Sequence, residues 1–464
     1  MNIVVILISL SFLIFAAYRG YPVILFAPIA ALLAVLLTQP YLTMPVYSLV
    51  FGEKMVSFIK LYFPVFLLSA VFGRLTEVSG IAGSIAKAVI RVFGPGNAMP
   101  AIVAVGALLT YGGVSLFVVA FSVYPFAADL FKSAGIPKRL MPATIALGAF
   151  TFTMDAFPGS PQIQNIIPTS AFHTTTWAAP WLGFCGGLFI LVTGLIYLQW
   201  QKRKAAAGQE GYGAHHLNEP EKVAGEQLPP AWMAILPLVT VVVCNKLFTT
   251  LLNNYYETPF SFPTFGLGDN SGIDLKPFIP VWSVSAAIVA GIVSILLFRF
   301  KHLKRNLKTT ITLSIGGALL AAMNTASEYG FGAVIAILPG FKIIEKGMAS
   351  AFSNTLVNET VAITTLAGIT GSASGGMSIA LASMKDAFLA KAAAQSIPNE
   401  VLHRVASMAS GGMDTLPHNS AVLTLLVITG LTHRQSYKNI FMLTLLKVVA
   451  VFFVIGLYYA FDLV

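Results

Sequence analysis

Two acids stand in matching phrases of an otherwise apolar chain. Asp155 lies in Met154-Asp155-Ala156-Phe157-Pro158-Gly159-Ser160, and Asp414 in Met413-Asp414-Thr415-Leu416-Pro417-His418-Asn419-Ser420. Each phrase puts a carboxylate and a helix-breaking proline inside a segment that reads as membrane helix. An ionisable residue in hydrocarbon is costly and marks a functional site by default. Such a carboxylate could carry a proton or help coordinate Na⁺, and Asp155 and Asp414 are the expected ion-coupling residues. In the plainer reading, each only caps the half-helix that follows.

The elements that must position these acids are membrane helices. The chain of 464 residues is 56% hydrophobic and 10% charged, against about 25% charged in ordinary globular domains. Its mean hydropathy is +0.80. Many stretches approach the roughly 20 apolar residues that span a bilayer, among them 3–17, 22–37, 181–198, 231–252, 281–298 and 441–461. The fold class is therefore an all-α polytopic membrane protein, with about a dozen membrane segments, some of them re-entrant. Residues 3–17 read as a first span and not as a signal peptide, since no basic n-region or small-residue cleavage site accompanies them. Cys185 and Cys244 lie in apolar runs and are expected to be free thiols.

The net charge of +10 does not call for nucleic acid. Its densest block, Arg299–Lys308, directly follows a span, as the positive-inside rule expects of a cytoplasmic loop. The one long polar stretch, 201–230, reads as a cytoplasmic linker between a first membrane repeat, 1–200, and a second, 231–464. Loop 253–278 carries Glu257, Asp269 and Asp274 against Lys276 and should lie outside, as should both termini.

The repeat extends beyond the aspartate phrases. Ser115 with Ser378, Pro137 with Pro398, and Asp155 with Asp414 recur in the same order at a nearly constant offset. Thr76-Glu77-Val78-Ser79-Gly80 is echoed faintly by Ser327-Glu328-Tyr329-Gly330. Paired interrupted helices in two halves point to a transporter's binding site. In each half, two short apolar helices flank a Gly/Ser-rich tip: 98–110 and 115–131 around Tyr111-Gly112-Gly113, then 355–369 and 377–391 around 370–376. At 1.5 Å per residue such helices reach about 20 Å, short of the bilayer core, so each pair predicts a re-entrant hairpin. One long kinked helix is the alternative.

A helix broken at the aspartate phrase follows each hairpin, 138–153 then 162–176 and 398–410 then 420–432. Unwound backbone at membrane depth must be buried in protein or line a wet cavity. Pro158, Pro161 and Pro417 enforce the breaks, and each freed half-helix N-terminus favours an anion. The groups expected to bind substrate are Gly112, Gly113, Ser115, Thr153, Ser160, Gln162, Asn165, Thr370, Ser372, Ser374, Thr415, His418, Asn419 and Ser420. Thr151 belongs to the same polar crowd. Together they could hold a carboxylate and hydroxyls without a full positive charge.

His418 has Gly159 as its counterpart, and serves as a proton relay or substrate donor, or else is satisfied by backbone. Glu359, at the entry of the second hairpin, is either functional or interfacial. Glu77 and Glu328 read as caps or interhelix partners. His215-His216 reads as solvated surface. No zinc-spaced Cys/His set, P-loop or G-x-S-x-G motif is present, so neither a metal, a cofactor nor ATP is expected.

The run 111–120, the Ile136-Pro137 loop, the break Phe157-Pro158-Gly159-Ser160-Pro161 and the segment 410–420 resemble the gluconate permease family of bacterial symporters. The likeness spans nearly the whole chain and rests on short motifs. The gluconate branch carries His-Gly and Pro-Pro-His-Pro-Gly at the break, where this chain has Met154-Asp155 and Pro158-Gly159-Ser160-Pro161. The departure points to the branch for short hydroxy or keto acids such as 3-hydroxybutyrate. The resemblance implies proton coupling, inverted repeats of paired hairpins and broken helices, elevator-type motion and a homodimer in the cell membrane.

The expected function is import of a small organic anion by proton symport. Na⁺ symport on the same architecture is the nearest alternative. An intramembrane enzyme with an aspartate dyad, or a channel, would be a different class; a dyad needs carboxylates that share a proton, and cleavage has no need of duplicated hairpins.

Overall fold

In a bilayer the backbone must satisfy its own hydrogen bonds, and an apolar chain answers with helices. The computed structural model describes residues 2–19, 21–214, 217–220, 228–256, 260, 274–343, 347 and 352–464. The chain is 82% helical. Among the described residues, seven helices are long and apolar enough to cross a membrane, and shorter apolar helices accompany them. The protein is a multi-pass α-helical membrane protein.

The main helices are α1 (Asn2–Tyr18), α2 (Val23–Thr38), α3 (Glu53–Val78), α4 (Ile81–Phe93), α5 (Ala98–Tyr111), α6 (Leu116–Ser133), α7 (Met141–Ala149), α8 (Ile163–Phe172), α9 (Pro180–Ala207), α10 (Ala231–Tyr255), α11 (Ile279–Leu303), α12 (Leu307–Ile337), α13 (Thr355–Thr370), α14 (Ala373–Ala394), α15 (Asn399–Gly411), α16 (Ser420–Thr429) and α17 (His433–Phe461). One group is built from α1, α2, α3, α10, α11 and α12. The other packs the hairpins α5–α6 and α13–α14 with α7, α8, α15 and α16, flanked by α9 and α17. The two sequence halves interleave, because α8 packs against α15.

Both hairpins exist as pairs of separate helices. The second tip is tighter than its Gly/Ser composition suggests, since α14 already begins at Ala373. The Ser372 hydroxyl caps this start by accepting from the Gly375 amide at 3.1 Å. A side chain at Gly376 would overlap the backbone of Ala367, so a glycine there lets the two arms touch.

The first break opens earlier than its prolines suggest. Helix α7 stops at Ala149, well before Pro158. The Thr151 hydroxyl donates to Leu147 O at 2.6 Å and the Thr153 hydroxyl to Gly148 O at 2.9 Å. Side chains thus satisfy the orphaned last carbonyls, and a single turn, Phe152–Asp155, follows. Pro158 and Pro161 keep the next residues from rejoining a helix. In the second half a short 3₁₀ turn, Gly412–Thr415, prolongs α15 up to Pro417.

The two broken helices run in opposite senses. The start of α7 and the end of α16 both touch the linker: Arg139 pairs with Glu210 at 2.6 Å, and Asn218 Nδ2 donates to Val427 O at 2.6 Å. The other ends meet each other, where Asn399 Nδ2 donates to Phe172 O at 3.0 Å.

The polar linker is not a loose spacer. Residues 201–207 continue α9, and residues 208–214 and 217–220 lie across the base of hairpin α5–α6. Glu219 pairs there with Lys132 at 2.5 Å and with the fully buried Lys138 at 2.7 Å. His215 and His216, and most of loop 253–278 with Glu257 and Asp269, lie outside the described residues.

Candidate functional site

The two breaks meet at the centre of the helix group, and Asp155 and Asp414 are both buried there. In each half, an amide side chain from the break holds its hairpin tip. Gln162 Nε2 donates to Thr110 O at 2.8 Å and to Val114 O at 3.3 Å. Asn419 Nδ2 donates to Gly371 O at 2.8 Å. These ties explain why hairpin and break recur together in the sequence.

Asp155 is ion-paired. Its Oδ2 lies 2.5 Å from Lys447 Nζ, on α17, and both side chains are essentially inaccessible. Lys447 also donates to Gly411 O and, at 3.4 Å, to Phe150 O. A side chain at Gly411 would overlap the Asp155 carboxylate, so only glycine leaves room for the pair. The Asp155 carbonyl accepts from Ser407 Oγ at 2.8 Å and from Arg404 Nη1 at 3.1 Å.

Asp414 is held by neutral donors. Oδ2 accepts from Gln164 Nε2 at 2.7 Å, and Oδ1 from the Ala373 amide at 3.1 Å and Asn419 Nδ2 at 3.2 Å. The Ala373 amide opens α14, so the carboxylate sits at the positive end of that helix dipole. Glu328, from the middle of α12, is buried and hydrogen-bonded by Ser372. A side chain at Gly375 would overlap its carboxylate. Glu328 is thus not a cap; it points at the second hairpin tip. Glu77 ends α3 instead, in a 2.7 Å pair with Arg74. The faint echo between the two glutamates therefore joins unlike places.

Beside the first break lies Arg404, whose guanidinium meets no acid among the described residues. Arg404 is fully buried and, among the described residues, donates only to neutral oxygens: Ala178 O at 2.7 and 3.3 Å, Asp155 O, and Asn165 Oδ1 at 3.1 Å. His403, equally buried, bonds Thr174 Oγ1 at 2.6 Å and Asn165 Oδ1 at 3.2 Å. Asn165 Nδ2 donates to Ser160 O and Thr176 O, both at 2.9 Å. Asn165 is thus the rivet between the first break and α15.

Set beside known proteins, no protein-family model matches the chain. It is 53% identical over 466 residues to the uncharacterized transporter YxjC of Bacillus subtilis, covering 99% of both chains. The chain belongs to that transporter's family. Among solved structures, Neisseria gonorrhoeae MtrF is similar with a TM-score of 0.56 at 14% identity, over 88% of this chain and 83% of that one. Such a distant match reports the fold alone. The Alcanivorax borkumensis YdaH transporter gives a TM-score of 0.49 at 15% identity, over 88% of each chain. This chain is a membrane transporter and not an enzyme.

The transporter places the expected site residues unevenly. Gln162, Asn165, Asn419, Ser372 and both aspartates converge on the tips and breaks. Gly112, Gly113 and Thr370 are buried at the tips, and the half-buried Ser115 caps α6 by position only. Several hydroxyls donate internally: Thr153 to Gly148 O, Ser160 to Thr153 O at 2.6 Å, Thr370 to Ser372 O at 3.2 Å, and Thr415 to Gly412 O at 3.0 Å. Thr415 turns toward Thr444, Ser420 is exposed, and Ser374 lies 3.4 Å from Ser372 Oγ. The His418 ring packs on Gly371, with Nε2 buried and unpartnered among the described residues. Glu359 is fully buried, and neither of its oxygens has a hydrogen-bond partner among the described residues.

Lys447, Arg404, His403 and Gln164 are the residues that sequence reasoning missed. Lys447 had a signal: it is a lone cation inside the apolar run 441–461, which the cost of intramembrane charge marks directly. Arg404 and His403 had the same signal on a half-helix.

Proposed function

We propose that this transporter is a secondary active importer of a small organic carboxylate, driven by proton symport. The observation that carries this reading is the meeting of two oppositely running broken helices at buried Asp155 and Asp414, each break tied to its own hairpin tip. Paired interrupted helices meeting at a central site are what alternating-access transporters are built from. The opposite senses favour two inverted repeats, 1–200 and 231–464 around the linker. The division into two helix groups favours elevator-type movement of the hairpin group against the other. Membership of the gluconate permease family, the preference for short hydroxy acids such as 3-hydroxybutyrate, and a homodimer in the cell membrane rest on the motif resemblance alone.

Na⁺ symport has its own support. Ser372, Ser374, Glu328 and Asp414 bring oxygens together at the second tip. One experiment separates the readings: uptake of radiolabelled 3-hydroxybutyrate into proteoliposomes under an imposed pH gradient in Na⁺-free buffer, with gluconate as competitor. The proposal expects accumulation that a protonophore abolishes and gluconate leaves untouched. Uptake only after Na⁺ is added would transfer the coupling to Na⁺.

A further inference from the structure

A crevice of about 160 Å³ lies away from the Asp155–Lys447 pair, where α3, α8, α12 and α14 come together. Its lining is mostly apolar or hydroxylated, and among the described residues Lys385 is the only charged group on it. Lys385 forms no ion pair among the described residues. On α14, Ser378 precedes it by seven residues, which places both on one face about 10 Å apart along the axis. Ser378 is 0% exposed, and its hydroxyl has no hydrogen-bond partner among the described residues. An unmade hydrogen bond at a buried hydroxyl is costly. Across from it, Tyr62 Oη lies 2.6 Å from Ser170 Oγ.

The crevice leads somewhere. Helix α8 supplies Ser170 to it and Gln164 to Asp414; α12 supplies Tyr329 to it and Glu328 to the second tip. Helix α14 supplies Ser378 and Lys385 to it and the Ala373 amide to Asp414. Three elements that surround Asp414 thus also wall the crevice. It opens toward the exposed Ser57, far along α3 from Ser79. The Ser79 carbonyl takes a 3.1 Å hydrogen bond from Arg299 of the basic block. The mouth therefore lies on the face remote from that block.

We propose that this crevice is a docking site for the carboxylate of the transported anion on its way to the second hairpin tip. Lys385 supplies the countercharge, Ser378 donates a hydrogen bond to a carboxylate oxygen, and the Tyr62–Ser170 pair takes a neighbouring substrate hydroxyl. The substrate class rests on the carboxylate reading above; the anion preference of the crevice does not.

The test uses the full chain with Cys185→Ser and Cys244→Ser, plus Ser378→Cys. The rate of thiol modification is measured with methanethiosulfonate reagents bearing either a sulfonate or a trimethylammonium group. Adding Lys385→Gln should lower the sulfonate-to-ammonium rate ratio about fivefold or more, as removal of a nearby charge in a partly dry crevice requires. Excess 3-hydroxybutyrate or acetate should slow the reaction while Lys385 is present. An unchanged ratio, or a thiol that neither reagent reaches, would overturn the site. In the otherwise unaltered chain, Lys385→Gln should raise the KM for carboxylate uptake while leaving the maximal rate within about twofold, the mark of a binding interaction outside the rate-limiting step. If the ratio shifts but the unaltered transporter takes up no carboxylate, the crevice stands as an anion site and the proposed substrate class falls.

Discussion

Asp155 and Asp414 occupy matching places in the repeat, yet their surroundings differ in kind. Asp155 faces a buried ammonium at 2.5 Å, whereas Asp414 faces two amide side chains and the first backbone amide of α14. The hairpins differ in parallel. The base of α5–α6 is tied to the linker through Lys132, Lys138 and Arg139. That of α13–α14 makes no ion pair to the linker among the described residues; there Gln395 reaches Thr355 and Ser353, and Tyr459 of α17 hydrogen-bonds Asn354. A buried ion pair resists change, because removing either partner strands a charge. A carboxylate whose hydrogen bonds all come from neutral donors, with Lys447 acting on it only at longer range, can exchange a proton or a ligand without breaking an ion pair. The comparison teaches that a duplicated motif need not keep a duplicated task. We propose that, of the two expected coupling residues, Asp155 anchors and Asp414 does the coupling.

The largest effect should come from breaking the anchored side. Lys447→Met should cost about 3–5 kcal/mol of stability, the usual penalty for orphaning a buried charge. Thermal unfolding in detergent reads it as a large fall in Tm. Adding Asp155→Asn should return most of the loss. A double variant no more stable than the single one would show that the pair does not hold the two elements together.

Asp414→Asn should act the other way round. It sets an amide N–H₂ against Gln164 Nε2 or the other donors, at a cost of about 1–3 kcal/mol, while coupled uptake falls at least tenfold. Gln164→Glu on top of it gives that amide an acceptor and should restore Tm. If the single variant Asp414→Asn keeps full coupled uptake, Asp414 is structural and the contrast with Asp155 dissolves.

The smallest effect belongs to the tie at the linker. The hydrogen bond from Arg139 holds the Glu210 carboxyl below its ordinary 4.5. Its contribution is therefore present above about pH 4.5 and is lost as pH falls through the lower folded value. The pair is partly exposed, so Arg139→Ala should cost under about 1 kcal/mol at neutral pH. It should cost nothing measurable once Glu210 is protonated, as Tm compared at the two pH values would show. A cost that persists in acid would assign the tie to packing instead.

Much of this architecture is legible in the chain. Periodic apolar runs, Gly/Ser tips and prolines near the aspartates locate both hairpins and both breaks, because each is a local property of the backbone. The early end of α7 is not legible. It depends on Thr151 and Thr153 capping carbonyls one turn back, and threonine does the same inside unbroken helices. The partners of the aspartates are hidden for another reason. Gln164 and Asp414 stand 250 residues apart, and no short-range pattern records such a contact. Lys447 was visible as an isolated cation, but a helix judged by its average apolarity conceals a single charge.

The reach of that lysine bears on how the protein is made. Lys447 also touches the carbonyl of Phe150, 297 residues earlier in the chain. Helices leave the ribosome in order, so the first aspartate enters the membrane long before its countercharge is synthesised. Until α17 inserts, that carboxylate lacks its Lys447 partner. The ion pair that joins α17 to the first break can therefore form only after nearly the whole chain described here has been made.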